Sequence, residues 1–167
     1  MNKAAIEKTR ELLGVCNVMS IATCADNVPW AASVFFVADE SFNLYFVSNS
    51  SSLHSRNINL NGCAAVTINK DHDDWLTICG LQIEGAASVA PANERERILT
   101  LYLNKFPHIA RLRDNPANDQ EKLIADRIGG SDFYRIEPST VRLIDNSLGF
   151  GSKMEKRFPI HQTRGVV

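Results

Sequence analysis

The chain has 167 residues, 44% of them hydrophobic and 22% charged, with a net charge of −1. That suits one domain with a sizeable core and is too short for two comfortable ones. The charge balance excludes an overall basic field that would recruit nucleic acid or anionic membrane, and no apolar run approaches the roughly 18 residues a membrane span needs.

In chain order, residues 3–14 place Ile6, Leu12 and Leu13 among charged residues at helical spacing and stop at Gly14. The first residues lack the apolar centre of a signal peptide, which points to the cytoplasm. Residues 18–23 read as a strand, 25–29 as a turn, 30–37 as a second strand and 44–48 as a third. Residues 63–68 predict a fourth strand, and 75–89 a long fifth in which Gly80 and Gly85 mark bulges or bends. Pro91 changes the pattern. Helical spacing follows over 94–106, then in two shorter pieces, 109–112 and 120–128. Strand pattern returns at 132–136 and 140–144 around Pro138, and a basic, glycine-containing tail begins near 145. Closely spaced short strands suggest a barrel or sandwich, and the whole order an α+β, mainly β, domain over 1–167. The four cysteines, Cys16, Cys24, Cys63 and Cys79, form no C-x-x-C pair. They predict buried free thiols in a reducing compartment and no metal site.

The most informative stretch is 46–62. A strand end runs into Ser48-Asn49-Ser50-Ser51-Ser52, and a short helical pattern of Leu53, Ile58 and Leu60 then carries His54 and Arg56 in its first turns. Hydroxyls, a helix start and cations can cradle an anion. The plainer reading is a serine capping a surface helix. Both stand.

The element order and this stretch resemble the pyridoxamine-5′-phosphate-oxidase-like FMN-binding split-barrel family, over roughly residues 19–144. The likeness is sharpest in Met19-Ser20-Ile21-Ala22-Thr23 with Pro29-Trp30-Ala31-Ala32-Ser33-Val34, and in Leu44-Tyr45-Phe46-Val47-Ser48-Asn49 through Ser52-Leu53-His54 to Ile58. Within the family the chain looks most like a small stand-alone bacterial-type branch. The resemblance implies a six- to seven-stranded antiparallel split barrel of Greek-key character flanked by helices, with a helical insertion at about 92–128 and a tail at about 145–167. It also implies a homodimer with FMN held between the subunits. Carried over, Ser48, Asn49 and Ser52 meet the phosphate with His54 and Arg56 beside them, and Ala32, Ser33 and Val34 line the flavin ring through their backbone. His54 falls where many members have a lysine, and Ala32 replaces a basic residue. Both departures imply weaker FMN binding, or none in the purified protein.

Trp30 reads as a cover for the ring or as interface packing, and Gln82 as a flavin contact or part of a solvent-facing stripe with Glu84. Lys105, Arg111 and Arg113 read as a solvated face, and Lys153, Lys156 and Arg157 as an anion clamp or a flexible tail. No Gly-x-Ser-x-Gly elbow, P-loop or His-Glu-x-x-His motif is present. A flavin enzyme needs none of them, because the cofactor carries the redox chemistry. The expected function is an FMN-dependent oxidoreductase of unknown small-molecule substrate. The alternative is a non-catalytic flavin, deazaflavin or haem binding or storage protein, with His54, His72, His108 and His161 as conceivable axial ligands.

Overall fold

A computed structural model of the chain describes residues 1–159. Alternating apolar and polar residues build its sheet. β1 (Val18–Ala25) turns Met19, Ile21 and Thr23 inward and Val18, Ser20 and Ala22 outward, and β4 (Cys63–Asn69) buries Ala64, Val66 and Ile68 in the same way. Asp26 and Asn27, at φ 51° and 61°, close a two-residue hairpin from β1 into β2 (Val28–Ala38). That left-handed geometry is one short polar side chains tolerate. With β3 (Leu44–Ser48), β5 (Cys79–Val89), β6 (Asp132–Asp145) and β7 (Lys153–Arg157), the antiparallel strand order is β3-β2-β1-β4-β5-β6-β7. Pairing of β3 with β6 closes six strands into a barrel and leaves β7 as an extra strand.

The barrel interior holds Phe36, Phe46, Ile21, Leu81 and Tyr134, joined by Leu12 and Leu13 of α1 (Lys3–Val15). Each such large apolar side chain contributes roughly 1.5–3 kcal/mol on burial. A second apolar cluster lies outside the sheet, where Ile98 and Tyr102 of α3 (Arg95–Lys105) and Ile109 of α4 (Pro107–Asp114) cover Val37, Tyr45 and Phe133. α2 (Leu53–Leu60) packs chiefly on β1, where Asn57 Nδ2 donates to the buried Thr23 Oγ1 at 3.2 Å. α5 (Asp119–Gly130) leads into β6. Among the described residues no helix is long and apolar enough to cross a membrane.

Five expectations need correction. Residues Trp75–Thr77 form a 3₁₀ turn, not the start of the fifth strand, because the Asp74 carboxylate accepts from Leu76 N and caps it. Gly80 lies in regular register, so Gly85 alone marks a bulge: Gly85 faces Pro138 while Glu84 faces Thr140. The two late strands are one, β6, which runs through Pro138. Pairing of β6 with β3 ends at Ile136 and pairing with β7 begins at Thr140, so the missing proline N–H falls in the gap between them. The supposed tail contains β7. Of the thiols, Cys16 and Cys79 are buried, but Cys24 is half-buried and Cys63 exposed.

The ladders leave one edge open. β2 pairs with β1 along Val28–Phe35 but with β3 only at Phe36–Ala38. Residues Val28–Val34 therefore run past the end of β3 with their second edge outside any described ladder.

Candidate functional site

β3 carries Leu44 and Phe46 into the core and delivers Ser48, two residues on and on the same face, to the rim. Asn49 then folds the chain back: its Oδ1 accepts from Ser51 N at 2.8 Å and Ser51 Oγ at 2.7 Å, and Ser52 N donates to Asn49 O at 3.0 Å. Ser52 caps α2, its Oγ accepting from Ser55 N at 3.4 Å. The helix-capping reading is therefore correct, and it is only part of what Ser52 does. Its Oγ also donates to Ser55 Oγ at 2.8 Å and lies 3.0 Å from Ser48 Oγ and 3.1 Å from His54 Nε2. Ser48 Oγ and His54 Nε2 are 2.6 Å apart. Burial pushes the His54 imidazole below its ordinary value. That shift favours the uncharged ring, which acts as a hydrogen-bonding group.

This turn forms one wall of a cavity of about 420 Å³, with Ser48, Asn49, Ser51 and Ser52 facing Arg127, Ile128 and Ser131. The second wall comes from the end of α5 and the residue after it. It is held there because Asp132, the first residue of β6, pairs with Ser48, the last of β3. Arg127 and Ser131 were not legible in the sequence, since an arginine in the last turn of a helix carries no signal of its own. Hydroxyls, an amide, a guanidinium and the start of α2 suit a tetrahedral oxyanion. Among the described residues no three His, Cys, Asp or Glu side chains converge as a metal site would require.

The remaining candidates fall elsewhere. Ala32 and Val34 are half-buried and pack on the barrel core, so only their backbone is free to line a ligand, along the open edge of β2. Ser33 points outward opposite Ser20, and Trp30, opposite Thr23, is 45% exposed. Arg56 is exposed on α2 and lines no part of the cavity. Gln82 is not at the cavity. It lies on the outer face, where its Oε1 accepts from Arg142 Nη1 at 3.2 Å, and successive pairings place Ser33, Ser20, Thr67 and Gln82 in one row. The basic clusters are internally engaged: Arg111 with Glu121, Arg113 with Asp114 and Arg157 with Glu155. Lys105 donates to the carbonyls of Leu13 and Cys16, and its ammonium lies 4.0 Å from the Phe36 ring centroid. His161 lies outside the described residues.

Residues 5–145 match the family model described as pyridoxamine 5′-phosphate oxidase. A UPF0306 protein of Klebsiella pneumoniae is 25% identical over 142 residues, covering 84% of this chain and 85% of that protein. The fold is shared with a putative pyridoxamine 5′-phosphate oxidase of Listeria innocua (TM-score 0.60, 19% identity, 83% of this chain and 96% of that one). It is also shared with a haem-binding protein of Mycobacterium smegmatis (TM-score 0.69, 17% identity, 94% of this chain and 59% of that one).

Proposed function

Because the chain belongs to the pyridoxamine 5′-phosphate oxidase family, we propose that it is an FMN-binding oxidoreductase whose cofactor lies between two copies of the chain. The observation that carries the reading is the cluster of Ser48, Ser52 and His54 beside a cavity whose far wall bears Arg127. FMN, when bound, supplies two-electron chemistry at its ring. On binding, the hydroxyl protons of Ser48 and Ser52, now given to their serine and histidine neighbours, turn to phosphate oxygens, and Ser55 Oγ becomes the donor to Ser52 Oγ. The open edge of β2 offers backbone N–H and C=O groups to a planar polar ring. His54 keeps the two serine oxygens together, and burial disfavours its charged form.

The second copy is supported by the outer face of the sheet. Its exposed positions on β1, β2 and β4 include Val18, Ala22, Ala31, Phe35 and Ala65, and none there is charged, in a chain that is 22% charged. An uncharged, partly apolar face is what a homodimer buries.

Titration of the purified protein with FMN, followed by flavin fluorescence beside a solution mass, tests the proposal. Quenching with a dissociation constant at or below about a micromolar, roughly −8 kcal/mol, on a dimer supports it. No quenching at tens of micromolar overturns it. A haem-binding or storage role is the second reading, by likeness to the Mycobacterium smegmatis protein. The described histidines favour it less. His54 is engaged by two serines, His72 Nε2 lies 3.3 Å from Cys79 N and O, and His108 is exposed on α4. A Soret band on haem addition, without flavin quenching, would favour it.

A further inference from the structure

We propose that Arg127 is the charged anchor of the candidate site, neutralising a phosphomonoester and so selecting phosphorylated over unphosphorylated flavin. The inference rests on the FMN reading above and adds to it the residue that supplies the charge.

Three observations lead there. First, the cationic positions implied on α2 do not deliver charge to the cavity. His54 is tied to Ser48 and Ser52, and neither it nor Arg56 lines the cavity. A phosphate dianion held by hydroxyls alone would keep its charge largely uncompensated on entering the site.

Second, Arg127 lines the cavity from the opposite wall, with Ser131 beside it, facing Ser48, Ser51 and Ser52. Its place is fixed by the fold. Pairing of Ser48 with Asp132 and of Val47 with Phe133 brings the end of α5 against the end of β3. Arg95 reinforces this join, donating to Gly129 O at 2.8 Å and to Ser131 O at 3.2 Å.

Third, among the described residues Arg127 donates to no carboxylate or carbonyl, a condition it shares only with Arg56. The other described arginines are committed to such partners, as Arg97 is to Glu94, Arg135 to Glu94 and Glu137, and Arg142 to Glu155. Two carboxylates lie near it in the chain, Asp126 and Asp132. Asp132 is the cross-strand partner of Ser48, yet neither carboxylate lines the cavity and neither pairs with Arg127. An arginine left without a partner beside a row of hydroxyls has its full donor set free for phosphate oxygens.

The test compares FMN with riboflavin on the full chain, and adds inorganic phosphate as competitor. The wild-type protein should bind FMN at least about tenfold more tightly than riboflavin. Arg127→Gln should remove most of that preference, weakening FMN at least about tenfold while leaving riboflavin unchanged. Arg127→Lys, which keeps the charge but not the two-pronged donor geometry, should fall between. Inorganic phosphate should compete with FMN on the wild type and lose potency on Arg127→Gln; competition by phosphate without an FMN preference would assign the site to other phosphomonoesters and overturn flavin selection. Unchanged FMN affinity in Arg127→Gln, with the wild type still binding FMN, overturns the role of Arg127 and leaves the FMN reading intact. Failure of the wild type to bind either flavin overturns the FMN reading itself.

Discussion

Ser52→Ala separates the two duties of the hydroxyl at the turn. As a cap, Ser52 Oγ accepts from Ser55 N at a long 3.4 Å, so this bond contributes at the lower end of the capping range, about 0.5–1 kcal/mol. The larger effect comes from Ser55, whose side chain is fully buried and takes the Ser52 proton at 2.8 Å. Removing that partner leaves a buried hydroxyl short of a hydrogen bond, a loss of about 1–2 kcal/mol. Together the substitution should destabilise the fold by about 1.5–3 kcal/mol. For a domain of this size that lowers the melting midpoint by roughly 3–12 °C. Thermal or urea unfolding of Ser52→Ala, Ser55→Ala and the double variant measures the two parts. With no Ser55 hydroxyl to orphan, the double variant should be less destabilised than the sum of the singles by about 1 kcal/mol. Additivity to within about 0.3 kcal/mol would refute the coupling. Ser52→Ala should also weaken FMN by about 1 kcal/mol or more, whereas Ser52→Thr should keep both properties.

Four further outcomes are expected. His54→Lys should tighten FMN, since it puts an ammonium beside Ser48 and Ser52 in place of an imidazole whose charged form burial disfavours; an unchanged dissociation constant would place the phosphate elsewhere. Gly85→Ala should destabilise strongly, by about 2 kcal/mol or more in urea unfolding, because an added Cβ at the bulge collides with the Glu137 carbonyl. Ala65→Glu, on the outer face of β4, should convert a dimer to a monomer by solution mass; retention of the dimer would put the interface on another face. Burial lowers Lys105 to about 8, against about 10.4 in the unfolded chain. Between those values the unfolded state holds more protons, so wild-type stability should rise with pH relative to Lys105→Met. A difference between the two that stays flat from about pH 8 to 10 would show the ammonium to be less desolvated than its burial implies.

How far the fold was legible depended on whether one residue's neighbours were enough to decide its state. β1 and β4 alternate without exception through their first six residues, and an inside-outside pattern of that kind has no helical solution. Trp75-Leu76-Thr77 has strand composition, yet one Asp74 hydrogen bond turned it into a 3₁₀ cap. Pro138 looked like a break because the sequence does not say that β6 changes partner beside it. β7, Lys153-Met154-Glu155-Lys156-Arg157, looked like tail because an outer strand guards itself with charge in place of apolar alternation.

The site divides along the same line. Ser48, Asn49, Ser52 and His54 are close in sequence, and a strand end followed by a helix start is enough to bring them together. Gln82, a ring contact or part of a solvent-facing stripe by strand parity, lies beside Thr67 and Arg142 on the outer face and away from this cluster. Arg127 is remote in sequence from Ser52 and reaches the cavity only because Asp132 pairs with Ser48. Local chemistry can therefore supply hydroxyls to an anion from one short segment. The balancing charge here depends on a sheet register that no local pattern contains, and a change at the β3–β6 junction should disturb the cavity even where it touches neither serine nor arginine. Phe133, which packs on Tyr102 at that junction while the Arg95 guanidinium lies 5.2 Å from its ring centroid, is the position where that separation is sharpest. Phe133→Ala should loosen α5 and weaken FMN more than riboflavin, although the residue lines no part of the cavity.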